Sequence, residues 1–127
     1  MIKNFLIINC TGKIRLIGLK INDNFFIEEL QTKIDGTDEL VNNIAKILKN
    51  KEIKMNKNFS ILVNMGPGSF SAIRTSISAA KGIKISVGAE IYGFKNSDLG
   101  KFDLKNIEFL IEKNLLENKL IKPIYLS

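Results

Sequence analysis

The sequence predicts an α/β fold: a mixed five-stranded sheet, ordered as a three-strand meander and then a β-α-β unit, with flanking helices. Three observations carry that expectation. Short apolar runs bounded by polar or turn residues recur at Lys3–Asn9, Lys13–Ile21 and Phe25–Gln31, before any helical periodicity begins. Segments with apolar residues three and four apart then alternate with further strand-like runs. A helix between the last two strands makes them parallel, because the crossover returns the chain to the same end of the sheet.

Taken in order, KNFLIIN (Lys3–Asn9) is apolar throughout its centre and reads as a buried strand. Cys10-Thr11-Gly12 has about the length of a hairpin turn, and Lys13–Ile21 alternates as a second strand. Asn22-Asp23-Asn24 turns the chain into FFIEELQ (Phe25–Gln31). Gly36-Thr37-Asp38-Glu39 then opens a helix. Thr37 can cap its free backbone donors, and the two carboxylates lie in the positive first turn. Leu40, Val41, Ile44, Ile47 and Leu48 mark its apolar face, with Lys46 and Lys49 towards the C-terminal end.

After a polar connection over 50–58, FSILVN (Phe59–Asn64) forms the fourth strand and stops at Gly66-Pro67-Gly68. A second helix runs from Ser69 to about Ile85, and VGAEIYGF (Val87–Phe94) supplies the fifth strand. Residues 96–103 read as a loop. Leu104 to about Leu120 carries Ile107, Leu110, Ile111, Leu115 and Leu116 as an amphipathic helix, and 122–127 is extended.

A chain of 127 residues makes one domain and can bury a core without disulfides or metal. No apolar run reaches the ~20 residues of a membrane span, and the N-terminus shows no small-residue cleavage site. A single cysteine, Cys10, forms no internal disulfide, so a cytoplasmic location is expected. The absence of histidine excludes Ser-His and Cys-His nucleophile pairs and His-liganded metals; one cysteine excludes a thiolate zinc site. No catalytic residue, cofactor or metal is therefore expected.

The net charge of +6 is carried by seventeen lysines, with Arg15 and Arg74 the only arginines. It reads either as a solvated basic surface or as a salt-sensitive attraction to nucleic acid. The densest cluster is Lys46, Lys49, Lys51, Lys54 and Lys57, with no aromatic interleaved to stack on bases.

The glycine corner Gly66-Pro67-Gly68-Ser69 is not a P-loop, which needs a lysine followed by Ser or Thr at its end; the next basic residue here is Arg74. The dinucleotide pattern fails too, since Pro67 has no N–H and the glycine spacing differs. The helix behind the corner is more informative. Phe70, Ile73, Ile77 and Ala80 mark one face, Ala72, Ala79 and Ile83 another, and Ser71, Thr75 and Ser78 lie between. Arg74 and Lys81 are its only charges before Lys84. Small residues allow close approach by another helix, so a low-polarity surface of this kind suits burial against a partner. The alternative is a core helix covered by a third layer, for which the C-terminal helix is the candidate.

Gly66-Pro67-Gly68-Ser69-Phe70-Ser71-Ala72-Ile73-Arg74, followed by Ala80-Lys81-Gly82, resembles the GPGSFTGLR…AxGL signature of the TsaB (YeaZ) family of tRNA threonylcarbamoyladenosine biosynthesis proteins. Ser71, Ala72 and Ile73 stand where that family has Thr, Gly and Leu. Asn9-Cys10-Thr11 aligns with its Asp-Thr-Ser, and Ile121–Ser127 is similar to its closing Pro-x-Tyr-Leu-Arg. The resemblance implies a single lobe of the actin-like ATPase / ribonuclease H-like fold. It implies an enzymatically silent partner of TsaD, the subunit that transfers the threonylcarbamoyl group to the adenosine beside the tRNA anticodon. In the family, the first two helices pack with their TsaD equivalents as a four-helix bundle, and the ATPase TsaE joins the assembly.

Three departures stand out. Asn9 replaces the aspartate that helps hold a metal-nucleotide in active ATPases of the superfamily, and an amide lacks that charge. Thr37-Asp38 stands near the family's His-Ser. Most of the second lobe is missing, so the resemblance covers residues 1–97 and 104–127.

The expected function is thus a non-catalytic scaffold that holds TsaD in a competent conformation. The expected interface comprises Thr37, Leu40, Val41, Ile44, Ser69, Phe70, Ile73, Arg74, Ile77, Ala80 and Lys81. Phe70, Ile73 and Ile77 are its outward anchors and Arg74 a rim contact. The tRNA is engaged indirectly, no membrane is involved, and a homodimer through the same helices is expected when TsaD is absent. The alternatives are a small ATP- or phosphate-binding protein using Gly66–Ser69, or a basic tRNA-binding module built on the lysines.

Overall fold

The computed structural model describes residues 2–30 and 36–125. Its elements are β1 (Asn4–Asn9), β2 (Leu16–Ile21), β3 (Asn24–Glu29), α1 (Thr37–Asn50), β4 (Phe59–Asn64), α2 (Phe70–Val87), β5 (Glu90–Phe94), a one-turn α3 (Asn96–Leu99) and α4 (Leu104–Glu112). The strands form one sheet in the order β3-β2-β1-β4-β5. The meander β1-β2-β3 is antiparallel, while β4 runs parallel to both β1 and β5. The fold is the expected mixed α/β arrangement.

Side chains of β1, β2, β4 and β5 alternate across the sheet, as a pleat buried on both faces requires, while the edge strand β3 is largely exposed. Leu6 and Ile8 of β1, Ile17 and Leu19 of β2, Ile61 and Val63 of β4 and Ile91 of β5 point to one side. There they meet Leu40 and Ile44 of α1 and Ile73, Ile77, Ala80 and Ile83 of α2. Phe5, Ile7, Leu62 and Phe94 point to the other side, where Leu99, Ile107 and Leu110 cover them. The C-terminal helix therefore lies on the sheet face opposite α1 and α2. It is not the third layer over α2 that the sequence allowed for.

Several boundaries differ from expectation for local reasons. β2 begins at Leu16, not Lys13, because Lys13 and Ile14 are exposed in the turn. Val87 closes α2, and Gly88 in the left-handed region (φ 73°) ends that helix before β5 starts at Glu90. Thr37 does not cap α1: it is the first helical residue, Gly36 holds the cap position, and no side chain bonds the free amides. Asp103 does cap α4, accepting the Asn106 N–H at 2.8 Å.

α4 stops at Glu112, well short of Leu120. The backbone turns through Asn114 at φ 56° so that Glu117 can pair with Gly93 at the free edge of β5, through reciprocal bonds of 2.7 and 2.8 Å. Residues 96–103, read as a loop, contain α3. Gln31, the expected end of the third strand, and Leu126 and Ser127 of the tail lie outside the described residues.

Candidate functional site

The corner between β4 and α2 is built by three close approaches. Gly66 adopts φ 99°, and an ideal Cβ there would stand 2.5 Å from Cδ1 of Ile73 and 3.0 Å from the Ile124 carbonyl oxygen. Gly68 lies against the β1–β2 turn, where a Cβ would come within 2.5 Å of the Thr11 carbonyl oxygen. Gly66-Pro67 is a cis peptide.

Two of the corner's amides are already engaged within the fold. Gly66 N–H donates to Asn64 Oδ1 at 2.9 Å and Ser69 N–H donates to the Thr11 carbonyl at 2.8 Å, while Pro67 has none. The glycines serve a tight strand-to-helix corner, which is the structural alternative to an anion site.

Asn64 organises the floor of that corner. It is fully buried; its Nδ2 donates to Asn9 Oδ1 at 2.7 Å and to Asn96 Oδ1 at 3.0 Å, while its own Oδ1 takes the Gly66 N–H. The ends of β1 and β4 and the start of α3 are thereby tied by neutral amides. Asn9 is thus held by a side-chain amide. Among the described residues, no group of three His, Cys, Asp or Glu side chains is placed to hold a metal.

Cys10 is buried beside this corner. Burial pushes its thiol up to about 11 from an ordinary value near 9, with Arg15, the Ser76 side chain and the Leu16 backbone pulling partly the other way. The neutral thiol is therefore favoured in the folded state. The resulting stability is complete below pH 9 and is lost as the pH rises towards 11, a loss of about 2–3 kcal/mol for a shift of that size. Urea titrations at pH 8 and pH 10.5 should show about two thirds of that fall, and Cys10→Ala should remove most of it. Equal slopes in both proteins would rule the assignment out.

α2 presents two unlike faces. Ala72, Ile73, Ser76, Ile77, Ala79, Ala80 and Ile83 are buried against the sheet and α1. Ser76 joins that face without a polar cost because its hydroxyl donates to the Ala72 carbonyl at 2.7 Å. The outward stripe is Phe70, Ser71, Arg74, Ser78, Lys81, Gly82 and Ile85. Its ends are apolar and open to solvent: Phe70 is 57% and Ile85 83% exposed. Between them, serine and glycine keep the surface low.

At the upper end the Phe70 ring stacks on Tyr125, with centroids 4.9 Å apart, and carries the Arg74 guanidinium 5.2 Å from its centroid. That cluster of stacked rings and a cation is held open on the surface.

The expected interface residues therefore divide. Ile73 and Ile77 are not outward anchors; they fill the core, as do Leu40, Ile44 and Ala80. The physical reason is that two apolar rows, 73/77/80 and 72/76/79/83, are adjacent on the helix and merge into one wide arc that both the sheet and α1 cover. Phe70, Arg74, Ser69 and Lys81 are exposed, and Thr37 and Val41 are half-buried on α1. Ser78, Gly82, Ile85 and Tyr125 belong to the outward surface and were not among the expected residues. The serine–glycine spacing 71, 78, 82 was a readable helical stripe; the Tyr125 stack was not.

An α/β lobe of this topology is consistent with the ribonuclease H-like fold. The solved structure of YeaZ from Pseudomonas aeruginosa aligns with 77% of this chain at a TM-score of 0.62 and 15% identity. A second, an uncharacterized protein with similarity to peptidase YEAZ from Pseudomonas aeruginosa, also aligns with 77% of the chain, at a TM-score of 0.64 and 14% identity. The likeness is one of fold, and the chain spans less than half of either neighbour, 45% and 44% of their lengths. No family model matches the sequence, and no curated protein does. Among the described residues, no helix is long and apolar enough to cross a membrane.

Proposed function

We propose that this chain is a TsaB-type scaffold that docks on TsaD through the outward face of α2, with α1 beside it, and so supports threonylcarbamoylation of tRNA without supplying chemistry. The carrying observation is the low stripe Ser71–Ser78–Gly82, bracketed by exposed Phe70 and Ile85. A helix face with small residues at its centre and apolar ends suits burial beneath another helix, while Arg74 and Lys81 suit its rim. The resemblance of the GPGSF segment to the TsaB signature supports the choice of partner, and the YeaZ-like fold is compatible with it.

Several features favour a non-enzymatic role over a peptidase or an ATPase. The sequence has no histidine, and its one thiol is buried and held neutral. The glycine corner spends two of its amides on internal bonds. The stabilising effect on TsaD would come from binding one of its conformations preferentially.

The test is co-migration with the cognate TsaD on size exclusion, repeated with Ser78→Arg. That substitution sets a long cation in the middle of the face while touching no buried group, so the fold should change by less than about 0.5 kcal/mol. Wild type should co-migrate, and Ser78→Arg should bind at least ~100-fold more weakly, as loss at an interface centre does. An unmixed elution of wild type, or an undiminished affinity of Ser78→Arg, would reject the docking face.

A further inference from the structure

The C-terminal ends of the same two helices carry a second surface, which meets the docking stripe of α2 at Lys81. β3 and β4 both run parallel to β1, so α1 and α2 descend side by side and finish at the same end of the sheet, where β4 and β5 begin. Lys46 and Lys49 lie in the last two turns of α1, Lys54 and Lys57 in the connection to β4, and Lys81 and Lys84 near the end of α2. All six are exposed. The connection passes directly beneath α2, since a Cβ on its cap residue Gly88 would stand 3.9 Å from Cβ of Lys57. Within 46–58 and 81–88 the only acidic residue is Glu52, with exposed Glu90 at the start of β5 beside Lys57. Lys51, the remaining lysine there, is committed elsewhere: it pairs with Glu28 at 2.9 Å and caps the Phe26 ring at 4.5 Å.

We propose that the C-terminal ends of α1 and α2, with the connection between them, form a sequence-independent binding surface for the phosphodiester backbone of a double-helical nucleic acid. Compensation of two helix dipoles is satisfied by one or two cations in each last turn, and six lysines on a continuous rim exceed that need. Their charge complements a polyanion with one phosphate every ~1.7 Å of helix axis. The choice of lysine over arginine suits point contacts to phosphates without the bidentate fork that reads guanine edges. Single-strand binding needs open rings for bases to stack on; near the patch, Phe26 is already covered by Lys51, Phe59 is buried and Tyr92 is half-buried. A duplex backbone is the partner that remains.

The experiment measures fluorescence anisotropy of the full chain with a labelled folded tRNA and with a DNA duplex of similar length, over a series of salt concentrations. Lys46, Lys49, Lys54 and Lys57 are changed together to Gln; none belongs to the outward α2 stripe, so failure here leaves the TsaD docking test untouched. A control of equal charge changes Lys101, Lys105, Lys113 and Lys119 to Gln.

The patch variant should bind at least ~10-fold more weakly, and its slope of log affinity against log salt should fall by about 3. The control should stay within about 3-fold of wild type. Equal weakening in both variants would show a net-charge effect and overturn the proposal. So would undetectable binding by the wild type at low salt, or equally tight capture of polyglutamate or phosphatidylserine vesicles. Equal affinity for RNA and DNA supports backbone recognition alone; a preference for RNA supports it together with readout of A-form geometry.

Discussion

Ile73→Asp is expected to abolish the cooperative fold rather than merely undock a partner. Ile73 is fully buried at the centre of the cluster formed by the sheet, α1 and α2, and its Cδ1 fills the space that Gly66 leaves open. Removing a side chain of this size from a core costs about 2–5 kcal/mol through lost transfer energy and the cavity left behind. A carboxylate adds several more, because it is either buried as a charge or forced to take up a proton. Together they consume most of the ~5–15 kcal/mol that holds a domain of this kind. Circular dichroism should show no two-state melt, and amide protection should be lost throughout. A variant that still melts cooperatively within about 5 °C of wild type would mean that Ile73 is not a core residue. The contrast with Ser78→Arg is instructive, since the two sites lie on one helix but on opposite faces.

Asn64→Leu is the second large effect. The two side chains have similar volumes, so packing alone predicts a small change. The polar arithmetic predicts otherwise. Asn64 supplies one acceptor and two donor contacts, to Gly66, Asn9 and Asn96, and no water-exposed surface of its own. Leucine strands the buried Gly66 N–H, which costs about 1–3 kcal/mol, and releases the side-chain amides of Asn9 and Asn96. A total loss of about 2–4 kcal/mol is expected, read as a lowered urea midpoint with an unchanged m-value. Asn64→Asp separates the roles: it keeps the acceptor for Gly66 but replaces the donor by an oxygen facing those of Asn9 and Asn96. It should destabilise at neutral pH and recover part of the loss in acid, where the carboxyl can donate. A neutral effect of Asn64→Leu would show that the amide chain does not hold the corner.

The fold was legible because its signals are local. Phe59–Asn64 is bounded as expected, since an unbroken apolar run between polar residues and Gly66-Pro67 leaves little freedom in register. α1 starts and ends at the expected residues because its apolar spacing is strict, even though Thr37 does not cap it. α4 was overestimated for the same reason: Leu115 and Leu116 continue its periodicity, but Glu117 gains more by closing the edge of β5 than by extending a helix. Tertiary pairing overrode local propensity there.

By itself, the sequence determined the three-strand meander, the parallel run of β4 and β5, and the sharp corner at Gly66–Gly68; the pairing of β4 with β1 came from the tertiary structure. Only the tertiary structure decided which way α2 faces and that Lys81 and Lys84 end beside the lysine cluster of 46–57. A helix with apolar or small residues on most of its circumference has no preferred inward side until its neighbours are in place. Here α1 and the sheet take the arc through Ile73 and Ile77, while α4 packs on the far face and leaves Phe70, Ser78 and Ile85 uncovered. Lysines up to 38 positions apart, from Lys46 to Lys84, form one rim because two helices running the same way must end at the same edge of the sheet.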